Sequence, residues 1–361
     1  MEELLDPVLG GALADKHDKH DHYYQKPPTD DLPSKVNLRT DMKRIELDIY
    51  QQYDTNSCTA NAAAAAFWYE QIAVGNKATW EHGGPSRRFI YWLARGGDRT
   101  TRSPGGDGGS CMRDAIKGLA RLGVCVESEC PFPDLDVEYD DLKDDKSAAA
   151  TQEKKRRKNK ALNEKPIDAA FDSAAAHRIT RYLRLDADMP HDAERRLTMQ
   201  QRAVFGQYNL DMLRHCLSEG YPVAFSFRFY FPAQDMFDQR LEGMRILKDP
   251  WENGPFPRNT YPEELYTTHP ALTVPHGAHS VLAIGYDDEQ QQVLIQNSRG
   301  SAWGKHGGLF LMPYNWISDV AATYDFWTIR LGGEGPEMTP LFWRKLFEQL
   351  IEAAFRIAGD Q

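Results

Sequence analysis

The chain has 361 residues, enough for one large or two small domains. It is 41% hydrophobic and 27% charged, which suits an ordinary soluble core. A net charge of -10 argues against general binding to nucleic acid or to an anionic membrane surface, and no uninterrupted apolar run is long enough to span a bilayer.

Taken in chain order, residues 1–31 read as a polar tail. Its opening, Met1-Glu2-Glu3-Leu4-Leu5-Asp6, lacks the basic and apolar regions of a secretory signal, so a cytoplasmic setting is expected. His17, His20 and His22 lie close together in the tail, but no second cluster completes a metal site, and no metal is expected. Residues 32–135 read as a helical half. Cys58 opens an alanine-rich run that continues to Phe67, Trp68 and Tyr69, and alanine loses no side-chain entropy in a helix. Asn56 and Ser57 are N-cap residue types, so Cys58 is expected in the first turn, where free N–H groups and the helix dipole favour a thiolate. Residues 86–93 and 112–122 also carry helical periodicity, and the glycines from Gly105 to Gly109 mark a loop. Residues 136–177 change character, with an acidic run followed by Lys154-Lys155-Arg156-Arg157-Lys158-Asn159-Lys160. They are expected to form a surface insertion, mobile or partly helical. A nuclear-import or polyanion-docking role for the basic run is the alternative.

From 178 to 332 strand patterns dominate. Residues 179–185 and 223–229 read as strands, with a short helix over 209–218 between them. Residues 230–277 form a long proline- and aromatic-rich connection that ends beside His279 and is expected to wall the cleft. Residues 280–286 and 293–296 read as a hairpin across Asp287-Asp288-Glu289, which brings His279 and Asn297 to neighbouring positions at one sheet end. His279 can then take the Cys58 proton while Asn297 orients His279, the nucleophile–base–orienter logic of covalent catalysis. His276 competes as the base, whereas His177, His191 and His215 read as structural or surface residues. Residues 340–358 carry apolar positions at helical spacing and read as an amphipathic C-terminal helix, within a last segment of 333–361.

Four stretches resemble the papain-like cysteine peptidases, and more closely their bacterial-type branch. They are Leu32 to Arg39 with Gln52 through Ala62; Gly108-Gly109-Ser110 with Gly123-Val124; Gly220 to Phe225; and His279 to Asp288 with Gln296 to Gly304 and Asp325 to Ile329. The resemblance implies an α+β fold, with a helical half and a β-rich, barrel-like half meeting at a cleft. It also implies hydrolysis of peptide bonds through an acyl-thioester intermediate, with no cofactor. Cys58, His279 and Asn297 take the catalytic roles. Gln52 is the oxyanion donor beside the Cys58 N–H, with Gln51 as the misassignment risk. Gly108, Gly109 and Ser110 present backbone to an extended peptide, Ala278 lies at the substrate and Trp303 lines the leaving-group side.

Three departures stand out. Thr59 follows the nucleophile where the wider family has tryptophan. Arg299 replaces the tryptophan that shields the histidine–asparagine bond, and should repel an imidazolium at His279. Thr55 stands where secreted members place a disulfide cysteine, so Cys58, Cys111, Cys125, Cys130 and Cys216 are expected to be reduced; in oxidising surroundings Cys125 and Cys130 could pair. Two rival readings follow, an exopeptidase or acyl-transfer variant with the same triad, and a catalytically weak papain-like binding module. The family's long prodomain has no equivalent length here, so three alternatives stand for restraint of the site: the N-terminal tail, with Tyr23 and Tyr24 filling a side-chain pocket; the C-terminal helix; or no intrinsic block, with control left to a partner or to substrate choice.

Overall fold

A computed structural model describes residues 11–16, 18–27, 31–41, 47–75, 80, 83–187, 197–229, 277–303 and 307–331. The 230–276 connection, His191, His276 and the C-terminal helix therefore lie outside the described residues. Nine strands occur among the described residues: β1 (Ala12–Leu13), β2 (Lys35–Asn37), β3 (Ser110–Cys111), β4 (Arg181–Arg184), β5 (Val223–Phe229), β6 (Gly277–Asp287), β7 (Gln292–Gln296), β8 (Leu309–Pro313) and β9 (Thr323–Arg330). Seven form one sheet in the order β4-β9-β5-β6-β7-β8, with β2 added on β6. All its pairings are antiparallel. The sheet does not close on itself among the described residues, so this half is an open sheet, not a barrel. A small second sheet joins β1 and β3 in parallel.

The central helix Cys58–Ala73 is buried from Cys58 to Gln71. Its alanines let it lie close against β6, with the helices Arg87–Ala94 and Met112–Arg121 packed beside it. A helix buried on every face cannot be amphipathic, which is why it reads as a composition run and not as a stripe. On the sheet side the central strands are buried on both faces. Phe225 of β5 stacks on Phe326 of β9 at 4.9 Å, a contact worth about 0.5–1.5 kcal/mol beyond its area. Gly285 is needed where β2 crosses β6, because a Cβ there would meet the Val36 carbonyl oxygen at 2.2 Å.

The helix expected over 209–218 is longer, Met199–Ser218, because Thr198 and Gln201 form a reciprocal capping box ahead of it. The charged insertion carries the helix Ala148–Asn163, with Leu162 fully buried. Lys158 of that helix donates to the Asp54 carbonyl at 2.7 Å and pairs with Asp107, so the helix is docked and not mobile.

Candidate active site

Cys58 is the first residue of the central helix. Ser57 occupies the N-cap position, but its side chain makes no cap bond. Its hydroxyl instead lies 2.7 Å from the Thr55 hydroxyl and accepts from Asn61. The expected cap is thus replaced by a small network that fixes the loop before the nucleophile. Cys58 is buried and packs with Ala278 and Ala12.

The β6–β7 pairing brings the two other predicted side chains together. His279 Nε2 and Asn297 Oδ1 are 2.8 Å apart, both residues being buried. Asn297 Oδ1 also accepts the Ser298 N–H, which identifies it as the oxygen of the amide. An amide oxygen can only accept, so Nε2 carries the proton and Nδ1 is the basic nitrogen. The His279 ring stands edge-on to Phe227 at 5.9 Å. Phe227 leans on Phe310, and Phe310 meets Trp303, so Trp303 reaches the site through two aromatic contacts. His279 is linked to Cys58 through its chain neighbours: Ala278 packs against Cys58, and Ser280 lies close enough to favour the thiolate.

Gln52 is fully buried, its backbone bound to the Ser298 carbonyl at 2.8 Å. Its side-chain oxygen accepts from Ser298 Oγ and its amide nitrogen donates to the Thr55 carbonyl at 2.8 Å. These bonds fix the amide plane beside the Cys58 loop. Gln51 is turned elsewhere, its side-chain oxygen accepting the Tyr53 N–H. His215 is buried in the Met199–Ser218 helix and His177 stands edge-on to Trp80, both away from Cys58.

Burial raises the Cys58 thiol to about 11, against the pull of the Ser280 and Thr59 hydrogen bonds and of Arg299. Burial also lowers His279 to about 3, with the Arg299 charge adding to it and the Asn297 bond opposing it. In this conformation the pair is therefore a neutral thiol and a neutral imidazole. The Arg299 guanidinium donates to the Tyr53 carbonyl at 3.2 Å, and its charge acts on both groups.

Residues 11–16 are packed beside the thiol and are not a loose tail. Ala12 lies against Cys58. The Ser110 N–H donates to the Gly11 carbonyl at 3.0 Å, and β1 runs parallel to β3. Gly109, at φ 79°, faces that same carbonyl, and a Cβ on it would meet the oxygen at 2.3 Å. Gly109 and Ser110 thus hold an extended strand, whereas Gly108 is exposed. The residue at the thiol is Ala12; Tyr23 and Tyr24 are instead buried further along, Tyr23 bridging to Arg184. The segment is fastened by Asp15, whose carboxyl accepts from the Arg113 N–H and the Trp327 indole, and whose own N–H donates to Asp325. Nothing in the composition of residues 11–16 signals this contact, since the groups that receive Asp15 lie about a hundred and about three hundred positions away.

Among the described residues no group of histidine, cysteine, aspartate or glutamate side chains is arranged to hold a metal ion, and no helix is long and apolar enough to cross a membrane.

A central helix carrying the cysteine, set against an antiparallel sheet carrying the histidine and asparagine, is the papain-like α+β fold. The chain is similar to xylellain, a cysteine protease from Xylella fastidiosa, at 28% identity and a TM-score of 0.62 over 90% of this chain and 97% of that one. It is 27% identical over 276 residues to an uncharacterized peptidase C1-like protein of Acanthamoeba polyphaga mimivirus, covering 76% of this chain and 67% of that protein. Digestive procathepsin L 3 of Tenebrio molitor larval midgut shares the fold at 14% identity and a TM-score of 0.54, over 91% and 79%. No family model matches the chain. In sequence and in fold, then, the chain is papain-like, and its likeness is to cysteine-type peptidases, a class of hydrolases.

Proposed function

We propose that the protein is a thiol peptidase in which Cys58, His279 and Asn297 form the triad, held inactive by its own N-terminal segment. The observation that carries the reading is the 2.8 Å contact of His279 Nε2 with Asn297 Oδ1, beside the helix start that bears Cys58. With Nε2 protonated, Nδ1 of His279 takes the Cys58 proton. The thiolate attacks the scissile carbonyl carbon, a C–S bond forms, and the oxyanion meets the Cys58 N–H and the Gln52 amide. Each such donor contributes about 3–4 kcal/mol to the barrier difference. The C–N bond then breaks as His279 returns the proton to the leaving amine, and water cleaves the thioester by the reverse sequence.

Release of residues 11–16 admits water and substrate to the site and removes part of the burial that keeps thiol and imidazole neutral. A reducing, cytoplasmic setting is part of the same proposal, with Cys125 and Cys130 as neighbouring free thiols. The neutral pair beside Arg299 is the one observation favouring a binding module instead. Labelling decides. With the segment displaced by Gly11→Val, whose Cβ would meet the Asn56 backbone, an epoxysuccinyl thiol-peptidase probe should modify Cys58 far faster than Cys111, and adding Cys58→Ala should abolish the peptide hydrolysis of that form. Hydrolysis that survives Cys58→Ala would remove the reading.

A further inference from the structure

We propose that the seat of the Asp15 side chain is an acid-selective subsite of the cleft, used by an acidic side chain of an extended peptide once the N-terminal segment has left. This rests on the peptidase reading above.

The seat is defined by what each oxygen meets. Asp15 Oδ1 accepts the Arg113 backbone N–H at 3.0 Å, and Oδ2 accepts the Trp327 indole N–H at 2.7 Å. Both partners are groups that can only donate. A carboxylate satisfies both. A carboxamide cannot, because whichever way it turns, its NH2 faces an N–H. An alanine leaves both donors buried and unmet, which carries its own penalty. The Arg113 and Arg184 guanidinium groups favour the charged form, but Arg113 is already paired with Asp21 and Arg184 with Asp186 and Asp325, and burial outweighs their pull, so the selectivity of the seat rests on its two donors.

The seat belongs to the body of the molecule and not to the segment that fills it. Trp327 is fully buried in β9, and the Arg113 N–H lies in the first turn of the Met112–Arg121 helix. Both remain when residues 11–16 move out. The seat is also continuous with the groove that runs past the thiol. The main chain is gripped at Gly11 by the Ser110 N–H, at Ala14 by the Cys111 thiol and at Asp15 by the Asp325 carboxylate. A peptide that follows the path of residues 11–15 therefore has one side chain at Cys58, as Ala12 does, and another three residues along between the two donors.

Two measurements on the full-length chain test this. The first is the rate of Cys58 alkylation by iodoacetamide in the wild type, Asp15→Asn and Asp15→Ala. Asn should release the segment as fully as Ala, each raising the rate about tenfold or more, because one buried charged hydrogen bond is worth that much. An Asp15→Asn rate equal to the wild type overturns the acid selectivity. The second is cleavage of a peptide library by Asp15→Ala. One position near the scissile bond should favour Asp or Glu over Asn or Gln by about tenfold. Cleavage without any preference for acid over amide overturns the subsite while leaving the peptidase reading intact. A variant that labels at Cys58 yet cleaves no peptide instead removes the peptidase reading and the substrate role of the seat, and the alkylation series still decides the seat's selectivity.

Discussion

Gly11→Val is the sharpest perturbation of the proposed self-inhibition, because it acts on the docked segment alone. A Cβ on Gly11 would lie 2.3 Å from the Asn56 carbonyl oxygen, 2.6 Å from its carbon and 2.7 Å from its Cα. All three are backbone atoms. They cannot swing aside, and Asn56 is itself tied to Asp107 through its N–H at 3.0 Å and its side chain at 2.7 Å. The released segment carries no such clash, so the whole penalty falls on docking. Overpacking against a fixed wall costs about 1–3 kcal/mol, which converts to a shift of roughly fivefold to 150-fold in the docking equilibrium. The assay is pseudo-first-order alkylation of Cys58, read by mass spectrometry of its peptide, with hydrolysis of a fluorogenic substrate alongside. Both rates should rise by a common factor in that range. Leu13→Ser is the control, since Leu13 is exposed and faces away from the groove, and it should change neither. Unchanged alkylation in Gly11→Val, or an equal rise in Leu13→Ser, would refute the inference that Ala12 and its neighbours close the site.

Asn297→Ala should retain the native circular dichroism spectrum and lower kcat by about tenfold or more with little change in KM, as loss of an orienting group does; a wild-type kcat would exclude Asn297 as the orienter. Arg299→Gln, on a Gly11→Val background, should move the midpoint of the Cys58 alkylation–pH profile upward, because the guanidinium favours the thiolate; a downward shift would contradict the placement of that charge. Protection by the segment should weaken with rising pH. Asp15 is raised by burial, against the pull of Arg184 and Arg113, and Asp325 is raised by burial and by Asp15 itself, with Asp186 adding to it. A raised docked pKa stabilises docking fully below the ordinary carboxylate value near 4, and that stabilisation is lost as pH rises through the docked value. The ratio of Gly11→Val to wild-type alkylation rates, which cancels the thiol's own ionisation, should therefore fall as pH increases, and a rising ratio would reverse the sign.

Much of the site was legible because its parts are local. The hairpin of β6 and β7 follows from two runs of β-formers about a polar turn, and it alone brings His279 near Asn297. The alanine run locates the Cys58 helix without any tertiary knowledge. What escaped the sequence depends on partners remote along the chain. Asp15 and Asp325 are 310 positions apart, and residues 11–16 have neither periodicity nor bulk to announce a burial site. Tyr23 and Tyr24 are the large side chains of the tail, yet the residue that packs against Cys58 is Ala12. The β-rich half reads as barrel-like in sequence, but closure depends on pairing between remote edge strands, and among the described residues β4 and β8 do not pair. Ser57 has the composition of a cap but finds better partners in Thr55 and Asn61, a choice that local propensity does not encode.

The docked helix of the charged insertion bears on how freely this scaffold could be trimmed. Lys158 places its ammonium group between Asp54 and Asp107. Asp107 in turn holds Asn56, two residues before the nucleophile, and takes the Tyr91 hydroxyl. Excising residues 136–177 would strip a nearly buried aspartate of its cation at the loop that sets the entrance to the catalytic helix. What runs along the chain as an interpolation stands in space as a buttress, and loop exchange or minimisation of this enzyme body would have to begin by replacing that one positive charge.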